Sequence, residues 1–371
     1  MNTAFINTTK KKRVLVGMSG GVDSAVAAYL LQKEGHDVCG VTLRTLDTEG
    51  RCCEIDDARR AAWKLGIRFY ALNCIDDFSA KVVDPFVCAY LRGLTPNPCI
   101  ECNRFVKWEK MLYAARVMEA DYVATGHYAS VVRLSNGCWT VRKAVHAAKD
   151  QTYMLYRLTQ EQLAATRMPL GGYSKEQVRK IAEEAGLPVA DKPDSQEICF
   201  VTDGHYADFI EQYVQKRNDS APAGCSPWTV PGPGAFVDED ENRLGTHKGI
   251  THYTVGQRKG LGISMGHPVY VKEIRAASDE VVLSTEPSLY RDVVLCRDVN
   301  FLSIPGLPPG ETLRAKTKIR YHHVAADSEI QLLEDGCVRI RFDAPVRAAA
   351  PGQSAVFYDD SDCVIGGGII L

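Results

Sequence analysis

Residues 14–24, Val-Leu-Val-Gly-Met-Ser-Gly-Gly-Val-Asp-Ser, constrain this chain more than any other stretch. Val14, Leu15 and Val16 form a short aliphatic and β-branched run that suits a strand, and the residues from Ala25 to Leu31 are good helix formers. A strand, a tight turn and a helix follow. Gly17, Gly20 and Gly21 supply positive φ or let a ligand approach the main chain, while Ser19 and Ser24 offer hydroxyls and N-cap chemistry. Backbone N–H groups and the positive end of the helix dipole then converge on one spot, which suits phosphate. Asp23 is an acid beside that spot, a placement that makes sense when a cation such as Mg²⁺ bridges it to the anion.

The turn lacks the lysine and spacing of a G-x-x-x-x-G-K-[ST] loop, and it lacks the G-x-G-x-x-G spacing of a dinucleotide fold. Its run Ser19-Gly20-Gly21-Val22-Asp23-Ser24 resembles the pyrophosphatase (PP) loop of enzymes that cleave ATP between the α and β phosphates and adenylate a substrate. The plain alternative is an ordinary glycine-rich turn. On the loop reading, Gly17, Met18, Ser19, Gly20, Gly21, Val22, Asp23 and Ser24 hold ATP.

Farther on, strands are expected at Val38 to Leu43, Ile67 to Leu72 and Asp121 to Thr125, with helices from Asp56 to Leu65, closed by Gly66, and from Asp77 to Leu91. Strands alternating with helices predict an α/β, doubly wound parallel sheet, whose ligands sit at the carboxyl ends of strands. Leu43 and Gly126 lie at such ends and are candidate walls for adenine and ribose. Two later helices start with capping boxes, Thr159 with Gln162 and Ser174 with Gln177, and read as packing helices without chemistry of their own.

A chain of 371 residues exceeds what one hydrophobic core organises. Proline and glycine concentrate in residues 217–234, and beyond them short strands alternate with turns, including Val269 to Ile274, Val281 to Ser284, Thr312 to Ile319, Val338 to Phe342, Ala355 to Tyr358 and Val364 to Ile370. The expected division is a nucleotide-binding domain over 1–210, a small mostly β domain over 211–280, and a C-terminal β-barrel or sandwich over 281–371. No apolar stretch approaches a membrane span, and Met1 to Arg13 is too short and polar for a signal peptide, so the expectation is a cytoplasmic protein with no membrane partner. The 13 cysteines, odd in number and scattered, argue for free thiols rather than a secreted disulfide framework. A net charge of −2 means that a nucleic-acid partner must be held by local basic patches.

Two segments present thiols among polar neighbours. Thr95-Pro96-Asn97-Pro98-Cys99-Ile100-Glu101-Cys102-Asn103 spaces two cysteines three apart behind prolines, and Asp194-Ser195-Gln196-Glu197-Ile198-Cys199-Phe200 presents a third. A single C-x-x-C is redox-active, half of a metal site, or incidental, as Cys52 and Cys53 are. No second C-x-x-C or suitably paired histidines complete a structural zinc site. Lys316, Lys318, Arg320, His322 and His323 form a basic strip with Tyr321 available to stack on a base, or else the solvent face of a strand. Lys10 to Arg13 reads as a solvated tail.

Together the blocks Gly17 to Ser24, Asn97-Pro98 with Cys102-Asn103, Ala124 to Tyr128, Lys149-Asp150-Gln151, Asp194-Ser195 with Ile198-Cys199-Phe200, Gly256 to Gly262 and Pro351 to Val356 resemble the tRNA-specific 2-thiouridylase family, in its order and across residues 13–371. The resemblance implies an enzyme that uses ATP and Mg²⁺ to adenylate the 2-carbonyl oxygen of the wobble uridine, U34, of tRNA, and that then replaces this oxygen with sulfur. It implies catalytic roles for Asp23, Cys102 and Cys199. Cys199 carries a persulfide received from a sulfur-relay protein or cysteine desulfurase, and Cys102 resolves the product, leaving a Cys102–Cys199 disulfide. It further implies that Asn97, Pro98 and Cys99 lie against the flipped base and that His127, Lys149, Asp150, Gln151, Arg320, Tyr321 and Gln353 contact tRNA. Many family members carry aspartate where this chain has Cys99. Cys99, Cys102 and Cys199 are therefore an alternative ligand set for a 4Fe–4S cluster with one open iron. Another PP-loop adenylating enzyme, and a non-catalytic RNA-binding or redox-sensing protein that keeps a vestigial nucleotide fold, are the remaining alternatives.

Overall fold

The computed structural model describes residues 11–46, 52–189, 198–201, 204–220 and 226–371, with the side chains of 52–54 excepted. Lys10, Asp194 to Glu197, Pro222 and the Cys52–Cys53 side chains lie outside the described set. The chain forms two compact units, residues 1–79 with 102–194, and residues 80–101 with 195–371.

The first unit is built on strands β1 (Arg13–Gly17), β2 (Asp37–Arg44), β3 (Arg68–Asn73), β4 (Tyr122–Ala124) and a short β7 (Thr166–Arg167), in the order β3-β2-β1-β4-β7. Every pairing is parallel. This is the α/β wound sheet expected from the alternation of elements, and β1 lies at its centre. Val14, Leu15 and Val16 are fully buried there, each contributing about 1.5–3 kcal/mol of apolar burial. Helix Val22–Lys33 packs on the sheet through Val22, Ala25, Val26, Ala27, Ala28 and Leu31, and its small side chains permit close approach. An antiparallel hairpin, β5 (Ala129–Arg133) with β6 (Trp139–Lys143), follows β4.

The single helix expected from Asp77 to Leu91 is instead three pieces: Ile75–Phe78, a π turn over Ser79–Val83, and Asp84–Leu91. Pro85 explains the break, because it has no N–H and its ring excludes the carbonyl four residues back. Both capping boxes form as expected, at Thr159 with Gln162 and at Ser174 with Gln177.

In the second unit, β8 (Gly234–Val237), β9 (Arg243–His247), β10 (Tyr270–Arg275) and β11 (Glu280–Ser284) make a sheet in the order β10-β11-β8-β9. A closed six-stranded barrel follows: β12 (Tyr290–Phe301), β13 (Thr312–Lys318), β14 (Ala326–Leu332), β15 (Val338–Arg347), β16 (Ser354–Tyr358) and β17 (Val364–Ile370), joined in the order β12-β15-β14-β13-β16-β17. Closure pairs every edge, which a sandwich would leave open. Helices Asp84–Leu91 and Tyr206–Asp219 belong to this unit and meet through Phe86, Phe200 and Phe209, with ring centroids 5.2 Å apart for Phe86–Phe200 and for Phe200–Phe209.

Candidate functional site

The glycine-rich turn sits where β1 ends and helix Val22–Lys33 begins. Gly20 has φ +75°, the left-handed conformation that glycine permits. Gly17 and Gly21 do not share it. A Cβ on Gly21 would touch only Ser19 Oγ, at 3.5 Å, so its bareness leaves space rather than relieving a clash. The N-cap is Gly21, and no side chain caps the helix. Ser19 and Ser24, expected to cap, instead brace the turn: Ser19 N–H donates to Ser24 Oγ (3.2 Å), and Ser24 Oγ donates to Gly21 O (3.1 Å). An uncapped head of a twelve-residue helix, bordered by a turn of glycines, is the arrangement that receives a phosphate.

Asp23 is not left facing an anion unassisted. Its carboxylate accepts from the Tyr128 hydroxyl at 2.7 Å and from the Lys175 ammonium at 2.8 and 2.9 Å. The Lys175 side chain is 7% exposed and that of Asp23 30%. Tyr128 is fixed in turn by Gln151, whose side-chain oxygen accepts from Tyr128 N–H at 2.9 Å and whose N–H donates to Tyr128 O at 3.0 Å. The ordered chain Gln151, Tyr128, Asp23, Lys175 thus spans segments 152 residues apart at its widest. Lys175 opens the helix Lys175–Glu184, one of the two expected to have no chemistry. Tertiary structure thus places a lysine beside the turn that its own sequence lacks.

Gly126 closes this corner from below. A Cβ on it would fall 2.7 Å from both Asp23 C and Ser24 N, so the end of β4 packs backbone to backbone against the head of the helix. Met18 is buried, its N–H donates to Val41 O at 2.8 Å, and its carbonyl accepts from the Thr42 hydroxyl. Leu43 is half-buried at the carboxyl end of β2, beside β1, where a nucleoside wall is expected.

Asp150 is 6% exposed and spends its carboxylate on Ala144 N–H, Thr152 N–H and the Thr152 hydroxyl. Asp150 and Gln151, expected to contact tRNA, are thus seen bracing the corner around Tyr128; Lys149 beside them is half-buried. His127 pairs its Nδ1 with Thr125 Oγ1 at 2.8 Å and packs its ring 5.5 Å from that of Trp108. Burial, and then the nearby Lys107 charge, push its pKa down to about 3, so the imidazole is neutral near pH 7. A neutral ring can stack or hydrogen-bond, whereas a phosphate contact would want the imidazolium.

In the second unit, Asn97 Oδ1 accepts from Cys99 N–H at 3.1 Å and so starts the short helix Pro98–Cys102. Pro98 is buried and Cys99 half-buried. Cys199 is exposed in a turn closed by Val201 N–H to Ile198 O (2.9 Å), with Phe200 beside it anchored in the aromatic cluster. Cys102, at the start of the chain's return to the first unit, is buried at 8%. None of Cys99, Cys102 and Cys199 is in a disulfide. Among the described residues, no group of three or more His, Cys, Asp or Glu is placed to hold a metal ion.

The basic strip is smaller than its sequence suggests. Lys316 is paired with Asp360 at 3.0 Å. The pKa of His323 is pushed down to about 4, first by burial and then by Arg320 and Lys318. Lys318 lies 5.8 Å from the Tyr321 ring centroid, and Arg320 donates to Arg347 O at 3.2 Å. Two of the five basic residues of the strip, Lys316 and His323, therefore add little positive charge. Gln353, also expected on tRNA, donates its side-chain amide to Thr95 O at 2.8 Å.

A wound parallel sheet with a bare, glycine-bordered helix head and an acid–lysine pair defines an α/β domain of the HUP class, and the profile described as tRNA methyl transferase HUP domain matches residues 12–203. Two more profiles cover the rest: the tRNA methyl transferase PRC-barrel domain at 229–285 and the aminomethyltransferase beta-barrel domain at 291–370. A tRNA-specific 2-thiouridylase MnmA of Acetivibrio thermocellus is 51% identical across 97% of this chain and 99% of its own length. That of Lachnoclostridium phytofermentans is 48% identical over the same shares. The chain belongs to the tRNA-specific 2-thiouridylase family. Among solved structures, the U34-tRNA thiolase NcsA from Methanococcus maripaludis with its 4Fe–4S cluster aligns at TM-score 0.36 and 19% identity over 57% of this chain and 67% of that one, too slight a likeness to bear on the site.

Proposed function

We propose that this protein is an ATP-dependent tRNA uridine 2-sulfurtransferase acting on U34 in the cytoplasm. The observation that supports it most is Asp23, held by Tyr128 and Lys175 at the uncapped head of the first helix, where the triphosphate of ATP would lie. The Asp23 carboxylate is a hard oxygen donor that fits Mg²⁺, and the ion would offset phosphate charge. Lys175, already within 2.9 Å of both Asp23 oxygens, is positioned to turn its ammonium toward the phosphates when the carboxylate takes another partner. Uracil O2 then attacks the α phosphorus, pyrophosphate leaves, and an O2-adenylated uridine results.

The second half of the reaction uses sulfur. The terminal sulfur of a Cys199 persulfide attacks C2 and AMP departs with the former carbonyl oxygen. The Cys102 thiolate then attacks Cys199 Sγ, which frees the thiocarbonyl and leaves a disulfide that an external dithiol reduces. The exposure of Cys199 supports its role as acceptor from a sulfur-relay protein or cysteine desulfurase, since a partner's active-site loop must reach it. The division 1–210, 211–280 and 281–371 is proposed as the functional one, with the barrel engaging tRNA through Arg320 and Tyr321 and the Asn97–Cys99 segment receiving the base. An alternative assigns sulfur delivery to a 4Fe–4S cluster on Cys99, Cys102 and Cys199. No step is assigned to it.

Incubating the protein with unmodified tRNA, ATP, Mg²⁺ and a persulfide source tests the proposal. Nucleoside analysis should return 2-thiouridine with equimolar AMP and pyrophosphate. A methylated uridine, the transfer named by the family profiles, or unchanged uridine would overturn it. Iron and sulfide analysis of anaerobically purified protein separates the two sulfur routes: colourless, fully active protein rules out the cluster.

A further inference from the structure

We infer that Gln353 is a positioning residue for the Asn97–Cys99 segment, through which the C-terminal barrel sets the place where the target base is received. The inference rests on the thiolation reading for what the segment does, and on the following geometry for how it is held.

The loop between β15 and β16 is tied down by backbone hydrogen bonds. Gly352 N–H donates to Ile370 O (2.9 Å), Ile370 N–H donates to Gln353 O (2.8 Å), and Gln353 N–H donates to Ala350 O (3.1 Å). From this fixed base the loop grips Thr95 by both of its backbone groups. Thr95 N–H donates to Pro351 O at 2.8 Å, and Thr95 O accepts from Gln353 Nε2 at 2.8 Å. Gly352 permits the approach: it has φ +90°, and a Cβ there would fall 2.9 Å from Thr95 N and 3.1 Å from Leu94 Cβ. A side chain is excluded twice, by conformation and by space.

Thr95 is 8% exposed, so its carbonyl has little water to turn to if the amide is removed. One residue, Pro96, separates it from Asn97. Proline fixes its own φ and confines Thr95 to extended backbone, so the link transmits displacement instead of absorbing it. Asn97 Oδ1 then sets the start of the Pro98–Cys102 helix through Cys99 N–H. The motif Pro351-Gly352-Gln353 thereby acts on the base-receiving segment from inside the protein. A Gln353 amide committed to Thr95 O has a use other than RNA contact.

The test uses full-length protein with Gln353→Met, close in shape and without the amide donor. Three quantities are read: tRNA affinity, kcat at saturating tRNA, and the rate of Cys99 alkylation by iodoacetamide without RNA, resolved by peptide mapping. A positioning role predicts tRNA affinity within about twofold of the parent, kcat reduced by about tenfold or more, as small misplacements at a reacting centre do, and Cys99 alkylation changed by about threefold or more. Unchanged Cys99 reactivity, whatever happens to affinity, overturns the inference, and a selective loss of affinity returns Gln353 to RNA contact. Should the variant fail to fold, hydrogen exchange of the parent decides: Thr95 N–H is expected among the slowly exchanging amides, and rapid exchange overturns the clamp. Failure of the parent to make 2-thiouridine would sink the thiolation reading alone, since alkylation and exchange need no turnover.

Discussion

Replacing Lys175 by methionine keeps the length of the side chain and removes its charge. Asp23 would then keep the Tyr128 hydroxyl at 2.7 Å and lose the two ammonium contacts at 2.8 and 2.9 Å. Stranding one member of a buried pair costs about 3–5 kcal/mol, but Asp23 reaches solvent, so about 1–3 kcal/mol is expected here. For a unit of this size that lowers its melting temperature by about 2–10 °C. The double variant Asp23→Asn with Lys175→Met strands no charge and should recover most of the loss, a coupling of about 1–3 kcal/mol. Activity should behave differently. Lys175→Met is expected to slow tRNA-dependent pyrophosphate release about a hundredfold, as loss of one preorganised charge at a reacting phosphate does, and the double variant should recover none of it. Calorimetry and a pyrophosphate-release assay on all four proteins complete the cycle. A Lys175→Met protein that melts within about 1 °C of the parent, or stability losses that simply add in the double variant, would refute the pairing argument.

Other substitutions probe the same corner and its surroundings. Gly126→Ala places a methyl 2.7 Å from the backbone at Asp23 and Ser24. It should cost about 1–3 kcal/mol by overpacking and weaken ATP binding, measured by calorimetric titration; unchanged affinity would show that the corner gives way elsewhere. His127 is neutral when folded, with its pKa held at about 3 against 6.5 unfolded. The unfolded state therefore binds the extra proton between those values, and stability is lost as pH falls through that window, by up to about 1.4 kcal/mol per pH unit. His127→Asn should flatten the fall seen in denaturant titrations at stepped pH, and an unaltered slope would assign it to other groups such as His323. Cys199→Ser should abolish 2-thiouridine while pyrophosphate release persists; retained product would remove the nucleophile. Arg320→Ala should weaken tRNA binding and lower the slope of log affinity against log salt by about one, whereas an unchanged slope would remove Arg320 from the phosphate contacts.

The parallel sheet and the glycine-rich strand–turn–helix were legible because their signals are local. A β-branched run, three glycines and an alanine-rich helix sit within twenty residues of one another, and β1 and helix Val22–Lys33 form where they indicate. The capping boxes at Thr159 and Ser174 were legible for the same reason. What such a box cannot tell is the direction in which Lys175 points, since its partner Asp23 is fixed by the wound sheet and not by sequence distance. Strands β5 to β9 were missed, and in the barrel β12 and β14. β12 mixes Arg291, Asp292, Arg297 and Asp298 with its apolar positions and is bent where Asp298 takes φ +52° within a register shift, which breaks the alternation of two that marks a strand. Lys316 and His323 looked cationic because charge was counted along the chain; Asp360 and burial cancel them in the fold. Gln353 presents as a polar residue after a glycine, and only the barrel's closure shows that its amide turns to Thr95.

The proposal that ATP energises the uracil carbonyl can be followed atom by atom. With uridine at position 34 labelled with ¹⁸O at O2, adenylation and displacement by sulfur carry the label into the phosphate of the released AMP, one ¹⁸O for each 2-thiouridine formed. Mass spectrometry of AMP reads this directly. Unlabelled AMP formed alongside 2-thiouridine would contradict activation at O2 and leave the phosphate loop without its assigned part in the exchange of oxygen for sulfur.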